Sequence, residues 1–210
     1  MVFEKGSSQK AAAVSGARVN KVYPEKINKR FCAPRNGGDA AAANAEGRAA
    51  SFLCGTRVEF QLAIDADSKQ IEAAKFRTNG CGFMIAAADV LAETVVARKL
   101  TELHGLEVAE FRGLIEEDLE ELPPEREHCL LTTIDSLRAA LADFRVRRIE
   151  EFAGEKALIC TCFGVTEEEI EAVIKNGAST VGEVGERCNA GQGCGSCQMM
   201  IGEMIDSGEW

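Results

Sequence analysis

The chain has 210 residues, enough for one ordinary domain and a smaller companion. Its 46% hydrophobic content supports a buried core, and 34 acidic against 24 basic side chains give a net charge of −10. That balance argues against nucleic acid or an anionic membrane as a partner, because phosphate-binding surfaces draw on excess Lys and Arg. No apolar run approaches the roughly eighteen residues of a membrane span. The opening "MVFEKGSSQKAAAVSGARVNK" lacks the apolar heart of a signal peptide, so the chain is expected to be cytoplasmic. Nine cysteines are too few for a disulfide scaffold of this length. In a reducing compartment they read as metal ligands or reactive thiols, with inert buried cysteine as the alternative for some.

Residues 1–18 are rich in Ser, Ala, Gly and Lys without periodicity and are expected to form a disordered tail. Val22, Ile27 and Phe31 recur at helical intervals, and "APRNGGDAAAANAEG" reads as a loop. The period then changes to two. "RVEFQLAID" points Val58, Phe60, Leu62 and Ile64 to one face, "QIEAAKFRTNG" supplies a second strand, and "ASFLCG" is assigned as a third. Short strands this close together predict an antiparallel sheet.

Helices follow. Phe83–Leu100 carries Leu91, Val95 and Val96 on one stripe and ends in Arg98 and Lys99, cations suited to a helix C-terminus. "EVAEFRGLIEEDLEEL" is less regular, with its acidic run Glu116–Glu121 read as a solvated face. Leu130, Ile134, Leu137, Leu141 and Phe144 mark a further helix. A sheet followed by helices predicts an α+β domain over residues 19–149, with 150–156 as a linker. Residues 157–210 are expected to form a small all-helical domain. There Thr166 and Glu169 are placed as a capping box, Gly177 follows as a C-cap, and Thr180 with Glu183 repeats the box. A last helix from about Gly195 is expected to bury Met200, Ile201, Met204 and Ile205. So thin a core would gain from a bound metal centre.

Cys160 and Cys162 form a Cys-x-Cys pair, and Cys194 and Cys197 form a Cys-x-x-Cys pair 31 residues later. Four thiolates match either a zinc ion or an iron–sulfur cluster. The one-residue gap favours the cluster, whose two irons need not be reached from a single point. Nearby glycines let backbone amides approach the sulfurs, and a helix start adds positive dipole beside an anion. "CTCFGVTEEEI" with "AGQGCGSC" resembles the bacterioferritin-associated ferredoxin-like domain, which implies that these four cysteines hold a permanent [2Fe-2S] cluster. Cys188 lies outside the motif and reads as a bystander.

Cys54, Cys81 and Cys129 are far apart in sequence. Each borders a turn, and Cys81 and Cys129 open expected helices, where amide ends favour thiolate. Three ordinary buried cysteines remain the alternative at this point. "YPEKINKRFCAPRN", "LCG", "TNGCG" and "LPPEREHC" resemble the scaffold domain of the NifU and IscU iron–sulfur assembly family, from about Val19 to Arg148. The resemblance implies an IscU-like three-stranded sheet packed with helices. It also implies a labile cluster on Cys54, Cys81 and Cys129, with His128 as an added ligand or a helix cap, and a structural role for Cys32. A cysteine desulfurase, iron, apo iron–sulfur acceptor proteins and a homodimer are the partners implied, and the role is that of a scaffold rather than an enzyme. The permanent cluster would supply electrons for sulfur reduction or cluster coupling.

Two departures from the family stand out. The usual Cys-Gly-Asp reads Cys54-Gly55-Thr56, which bears on iron entry and release because a hydroxyl is a poorer metal ligand than a carboxylate. The chaperone-binding Leu-Pro-Pro-Val-Lys reads "LPPER". A third domain with another Cys-x-x-Cys, usual in NifU, does not follow Cys197, so a two-domain form is expected. The architecture suggests nitrogen fixation, although no residue separates that role from general cluster supply. The alternatives are a [2Fe-2S] redox carrier or sensor with a degenerate scaffold domain, favoured by Thr56, and a zinc-bound sulfur acceptor, which the missing carboxylate disfavours.

Overall fold

Strict alternation in "RVEFQLAI" places Val58, Phe60 and Leu62 on one face, each fully buried, and that face organises the larger half of the molecule. The computed structural model describes residues 22–119, 122–151 and 157–208, with 150–151 in backbone only. The expected tail over 1–18 lies outside them, as does the linker apart from 150–151, which are helical. Strands β1 (Ala45–Ala50), β2 (Arg57–Ile64) and β3 (Ile71–Thr78) form an antiparallel meander in the order β1-β2-β3. Helices α1 (Glu25–Cys32), α2 (Gly82–Val95), α3 (Leu100–Leu103), α4 (Val108–Leu119) and α5 (Glu127–Glu151) complete this half. The expected α+β arrangement is therefore present.

The third strand is not the expected one. "SFLCG" forms a turn, and β1 begins inside the Ala-rich stretch read as a loop. The cause is packing. α5 crosses β1 so closely that a Cβ on Gly47 would stand 2.0 Å from the Ala140 amide nitrogen. Ser136, buried in α5, donates its hydroxyl to the carbonyls of Gly47 (3.0 Å) and Val58 (3.1 Å). Small residues in β1 answer to the helix above, so the strand shows no bulky alternation.

α2 is buried almost all round, between the sheet and helices α1, α4 and α5. It stops at Val95, short of the expected Leu100, because Ala97 takes φ of 66° and Lys99 pairs with Gln70 instead. Val96 is consequently exposed rather than on the buried stripe. α1 is tied to α2 by Arg30, which donates to Asp89 at 2.8 Å and to Glu93, and reaches Asp118 of α4 at 3.0 Å. Asp118 stays on the exposed face assigned to the acidic run while it pairs with Arg30. Cys32, read as structural, is exposed at the end of α1.

The C-terminal half contains α6 (Glu167–Lys175), α7 (Val181–Cys188) and α8 (Gln198–Ser207). It adds a short antiparallel ladder, β4 (Leu158–Cys160) with β5 (Val165–Thr166), to the helices expected there. Thr166 and Glu169 close the capping box in both directions. Thr180 caps α7, whereas the Glu183 carboxylate turns to Ser179 instead of closing a second box. α8 buries Ile201 and half-buries Met204 and Ile205, but Met200 faces outward with Met199. No helix among the described residues is long and apolar enough to cross a membrane.

Candidate metal centres

The loops at one end of the sheet gather the scaffold thiols. Cys81 is the N-cap of α2 and Cys129 lies in the first turn of α5, so two helix N-termini converge and bring their sulfurs to 3.6 Å. Two thiolates on one tetrahedral metal, with metal–sulfur bonds of about 2.3 Å, stand roughly 3.8 Å apart. The spacing of Cys81 and Cys129 therefore suits a shared metal atom. The hydrogen bond from Cys129 draws the Cys81 thiol down to about 5, while Cys129 is pushed up. The hydrogen bond to Cys81, followed by burial, is what raises Cys129, so the two thiols titrate as a pair. His128 Nε2 lies 3.5 Å from the Cys129 sulfur.

Cys54 hangs on the β1–β2 turn, where Gly55 at φ 68° allows the chain to reverse. Its thiol is exposed, contacts Thr56 Oγ1 at 3.0 Å, and is held down at about 7 by hydrogen bonds from Ser51 and then Thr56, with His128 also contributing. Phe52 and Leu53 beside it are fully and largely exposed. The structure thus brings Cys81, Cys129 and His128 into contact and places Cys54 within electrostatic reach of Cys129. Among the described residues no group of three or more ligands is closed around a single point.

Three residues near this site escaped sequence reasoning. The Tyr23 hydroxyl accepts the Gly82 amide at 3.1 Å, Ser51 donates to Cys54, and Arg126 lies 5.4 Å over the Phe83 ring and lowers both helix-end thiols. Tyr23 and Arg126 lie within the family-like stretches "YPEKINKRFCAPRN" and "LPPEREHC", and Ser51 within "ASFLCG", but none is tied to the thiols until the fold places them.

In the C-terminal half the four thiols form two pairs, each taking one sulfur from the Cys-x-Cys strand end and one from the Cys-x-x-Cys turn. Cys162 and Cys194 stand 3.4 Å apart, and Cys160 hydrogen-bonds Cys197. Cys160 and Cys197 are buried, Cys162 is half-buried and Cys194 is exposed. Burial raises Cys162, and burial followed by the Cys160 charge pushes Cys197 up to about 11. Cys194 falls to about 7, chiefly through Ser196, whose hydroxyl is 3.0 Å away. A Cβ on Gly193 would lie 2.8 Å from Cys162 Cβ and 2.9 Å from its sulfur, so the backbone there lies against the thiol. Two sulfur pairs beside a backbone cradle that excludes a side chain fit a [2Fe-2S] cluster, whose two irons each take two thiolates. Cys188 instead donates to the Val184 carbonyl at 3.2 Å within its own helix.

Comparison with known protein families matches residues 22–151 to the NifU-like N terminal domain and residues 158–207 to the BFD-like [2Fe-2S] binding domain. The nitrogen fixation protein NifU of Azotobacter chroococcum is 32% identical over 187 residues, covering 87% of this chain and 58% of that protein. The iron–sulfur cluster assembly scaffold protein IscU of Haemophilus influenzae is 33% identical over 129 residues, covering 60% of this chain and 98% of that protein. The N-terminal region of a NifU-like protein from Brucella abortus, solved by crystallography, aligns at TM-score 0.41 and 22% identity, covering 63% of this chain and 96% of that one. The chain thus spans a little under three fifths of the Azotobacter protein. A NifU-like domain carrying paired helix-end thiols, followed by a [2Fe-2S] binding domain with its four-sulfur cradle, makes this chain a member of the NifU-like iron–sulfur family.

Proposed function

We propose that this chain is an iron–sulfur assembly scaffold with one labile and one permanent site. The observation that carries this reading is the contrast in closure. At Cys54, Cys81 and Cys129 one thiol is exposed on a turn and two meet at helix ends, which suits a cluster that is built and then leaves. At Cys160, Cys162, Cys194 and Cys197 four thiols are paired around a glycine cradle, which suits a cluster that stays. The same logic separates open catalytic from closed structural zinc sites.

A cysteine desulfurase delivers sulfane sulfur to a thiolate of the first site as a persulfide. Each delivered sulfur takes two electrons from a reduced carrier to become sulfide and regenerate the thiolate, and two such sulfides join two irons to form the [2Fe-2S] cargo. Cys81 and Cys129 hold one iron in this reading, Cys54 brings the sulfur in from solvent, and His128 occupies the remaining position. An apo acceptor then removes the cargo. The chain orders ligands and catalyses no net turnover of its own. The domains span 19–149 and 157–210 and work as a homodimer in the cytoplasm, without nucleic-acid or membrane partners. Nitrogenase maturation and general cluster supply are distinguished by the acceptor.

Cys129 and Arg148 are nineteen residues apart on α5, about 28 Å along the helix axis. The C-terminal site, which adjoins Arg148 through Gly164, is therefore not in contact with the sulfur it would reduce. This weakens the expectation that it supplies those electrons within one chain. Thr56 supports a second reading, that of a redox carrier with a degenerate scaffold.

The test is anaerobic reconstitution with iron and a desulfurase, followed by addition of an apo-ferredoxin. Loading of two clusters per chain with transfer of one is the expected result. Filling of the C-terminal site alone, with nothing transferred, overturns the scaffold reading in favour of the carrier.

A further inference from the structure

Two cations at the junction between the halves have no part in the assembly chemistry. Lys69, on the β2–β3 turn at φ 58°, is 1% exposed. Lysine is seldom buried without a charged partner. Its Nζ donates to the Ala66 carbonyl, a neutral acceptor, and forms no ion pair among the described residues. Arg148, near the end of α5, lies against the C-terminal half, where a Cβ on Gly164 would stand 3.1 Å from its Cβ and 3.3 Å from its Nε. That Nε is buried and lacks a hydrogen-bond partner among the described residues.

Gly164 is two residues beyond Cys162, on the loop that leaves the Cys-x-Cys pair. From the scaffold side the His104 ring packs against Phe163 of the same loop, with centroids 5.7 Å apart. The acidic group facing Lys69 from α6 is Glu169, whose carboxylate is engaged in its capping box. Asp65 and Asp67 belong to the same turn as Lys69. Burial, and then Arg148, push the Lys69 ammonium down, while Glu169 opposes them. Burial also raises the Cys188 thiol, and Lys69 opposes that rise, so its charge is felt across the junction.

Buried cations are costly unless an anion faces them. A [2Fe-2S] cluster on four thiolates is a dianion, and one electron makes it a trianion. We infer that Lys69 and Arg148 are counter-cations supplied by the scaffold half to the C-terminal [2Fe-2S] site, so that docking of the halves sets that site's reduction potential. This rests on the reading that Cys160, Cys162, Cys194 and Cys197 hold the cluster. An added electron is stabilised when the cations are in place. By reciprocity, reduction tightens the junction. The redox state of one half is thereby reported to the other without direct contact between the two cysteine sites.

The test is a potentiometric titration of the reconstituted full chain with dithionite, followed by visible absorption, for wild type, Lys69→Met, Arg148→Met and Lys69→Arg. The midpoint is expected to fall in both Met variants by about 59 mV, the one-electron equivalent of a tenfold change, and to recover in Lys69→Arg. Normal iron and sulfide content with an unmoved midpoint in both Met variants overturns the inference. A C-terminal site that takes up no cluster in wild type overturns the ligand assignment instead. Should the variants fail to fold, hydrogen exchange on wild type decides. Slower exchange at His104, Phe163 and Gly164 in the reduced state upholds the inference, and equal exchange in both states overturns it.

Discussion

The two cysteine sites use the same ligand atom with opposite construction. In the scaffold half, sulfurs arrive from a strand turn and two helix ends that lie far apart in the chain, so the site exists only once the sheet and α5 are packed. In the C-terminal half, all four come from two short motifs, one at the end of β4 and one on the α7–α8 turn, with β5, α6 and α7 between them. A site assembled from distant elements can open by moving one turn, whereas a site assembled locally opens only by unfolding its own small domain. In the proposed reading, lability and permanence follow from where in the chain the ligands originate.

The largest break in this comparison comes from removing a sulfur of the local site. Cys197→Ser should abolish the stable visible absorption and unfold the C-terminal half, because metal binding and folding are coupled in so thin a core. Iron counting with a thermal melt checks both effects, and survival of the C-terminal melting transition would sink the claim. Cys81→Ala should eliminate transferable iron while leaving the non-transferable cluster at wild-type content, as read by iron analysis before and after apo-ferredoxin.

Gly47→Val attacks the distant construction through packing alone. With 2.0 Å to the Ala140 nitrogen, the new side chain must push α5 off β1. A loss of about 3 kcal/mol in denaturant unfolding is expected, with transfer impaired and the C-terminal cluster intact.

A smaller effect is expected at Ser51→Ala. The hydrogen bonds of Ser51 and Thr56 hold the apo Cys54 thiol at about 7 rather than 9.0. Its alkylation rate therefore rises through that lower pH in wild type, and the midpoint should shift upward in the variant. An unchanged profile would remove Ser51 from the site. Smallest is Thr166→Ala, which should cost the C-terminal half about 1 kcal/mol through the lost cap.

The sequence was most legible where chemistry and spacing coincide. The strand periodicity of Val58, Phe60 and Leu62, the capping box of Thr166 and Glu169, and the pairing of the two C-terminal motifs all appear as expected. β1 was missed because its small residues serve close contact with α5, which leaves no hydrophobic alternation to read. The end of α2 was misplaced because a positive φ at Ala97, not a glycine or proline, breaks the helix. Nothing in the sequence singles out Lys69 or Arg148, since burial at a junction is a property of packing and leaves no local pattern.

One consequence concerns which changes of length the fold tolerates. α5 is fixed at both ends, by Cys129 beside Cys81 and by Arg148 against Gly164. A single residue inserted between them would rotate one end by about 100° relative to the other and advance it by about 1.5 Å. Either the thiol or the arginine would then face away from its partner. Descendants of this chain should therefore keep the residue count between Cys129 and Arg148 invariant.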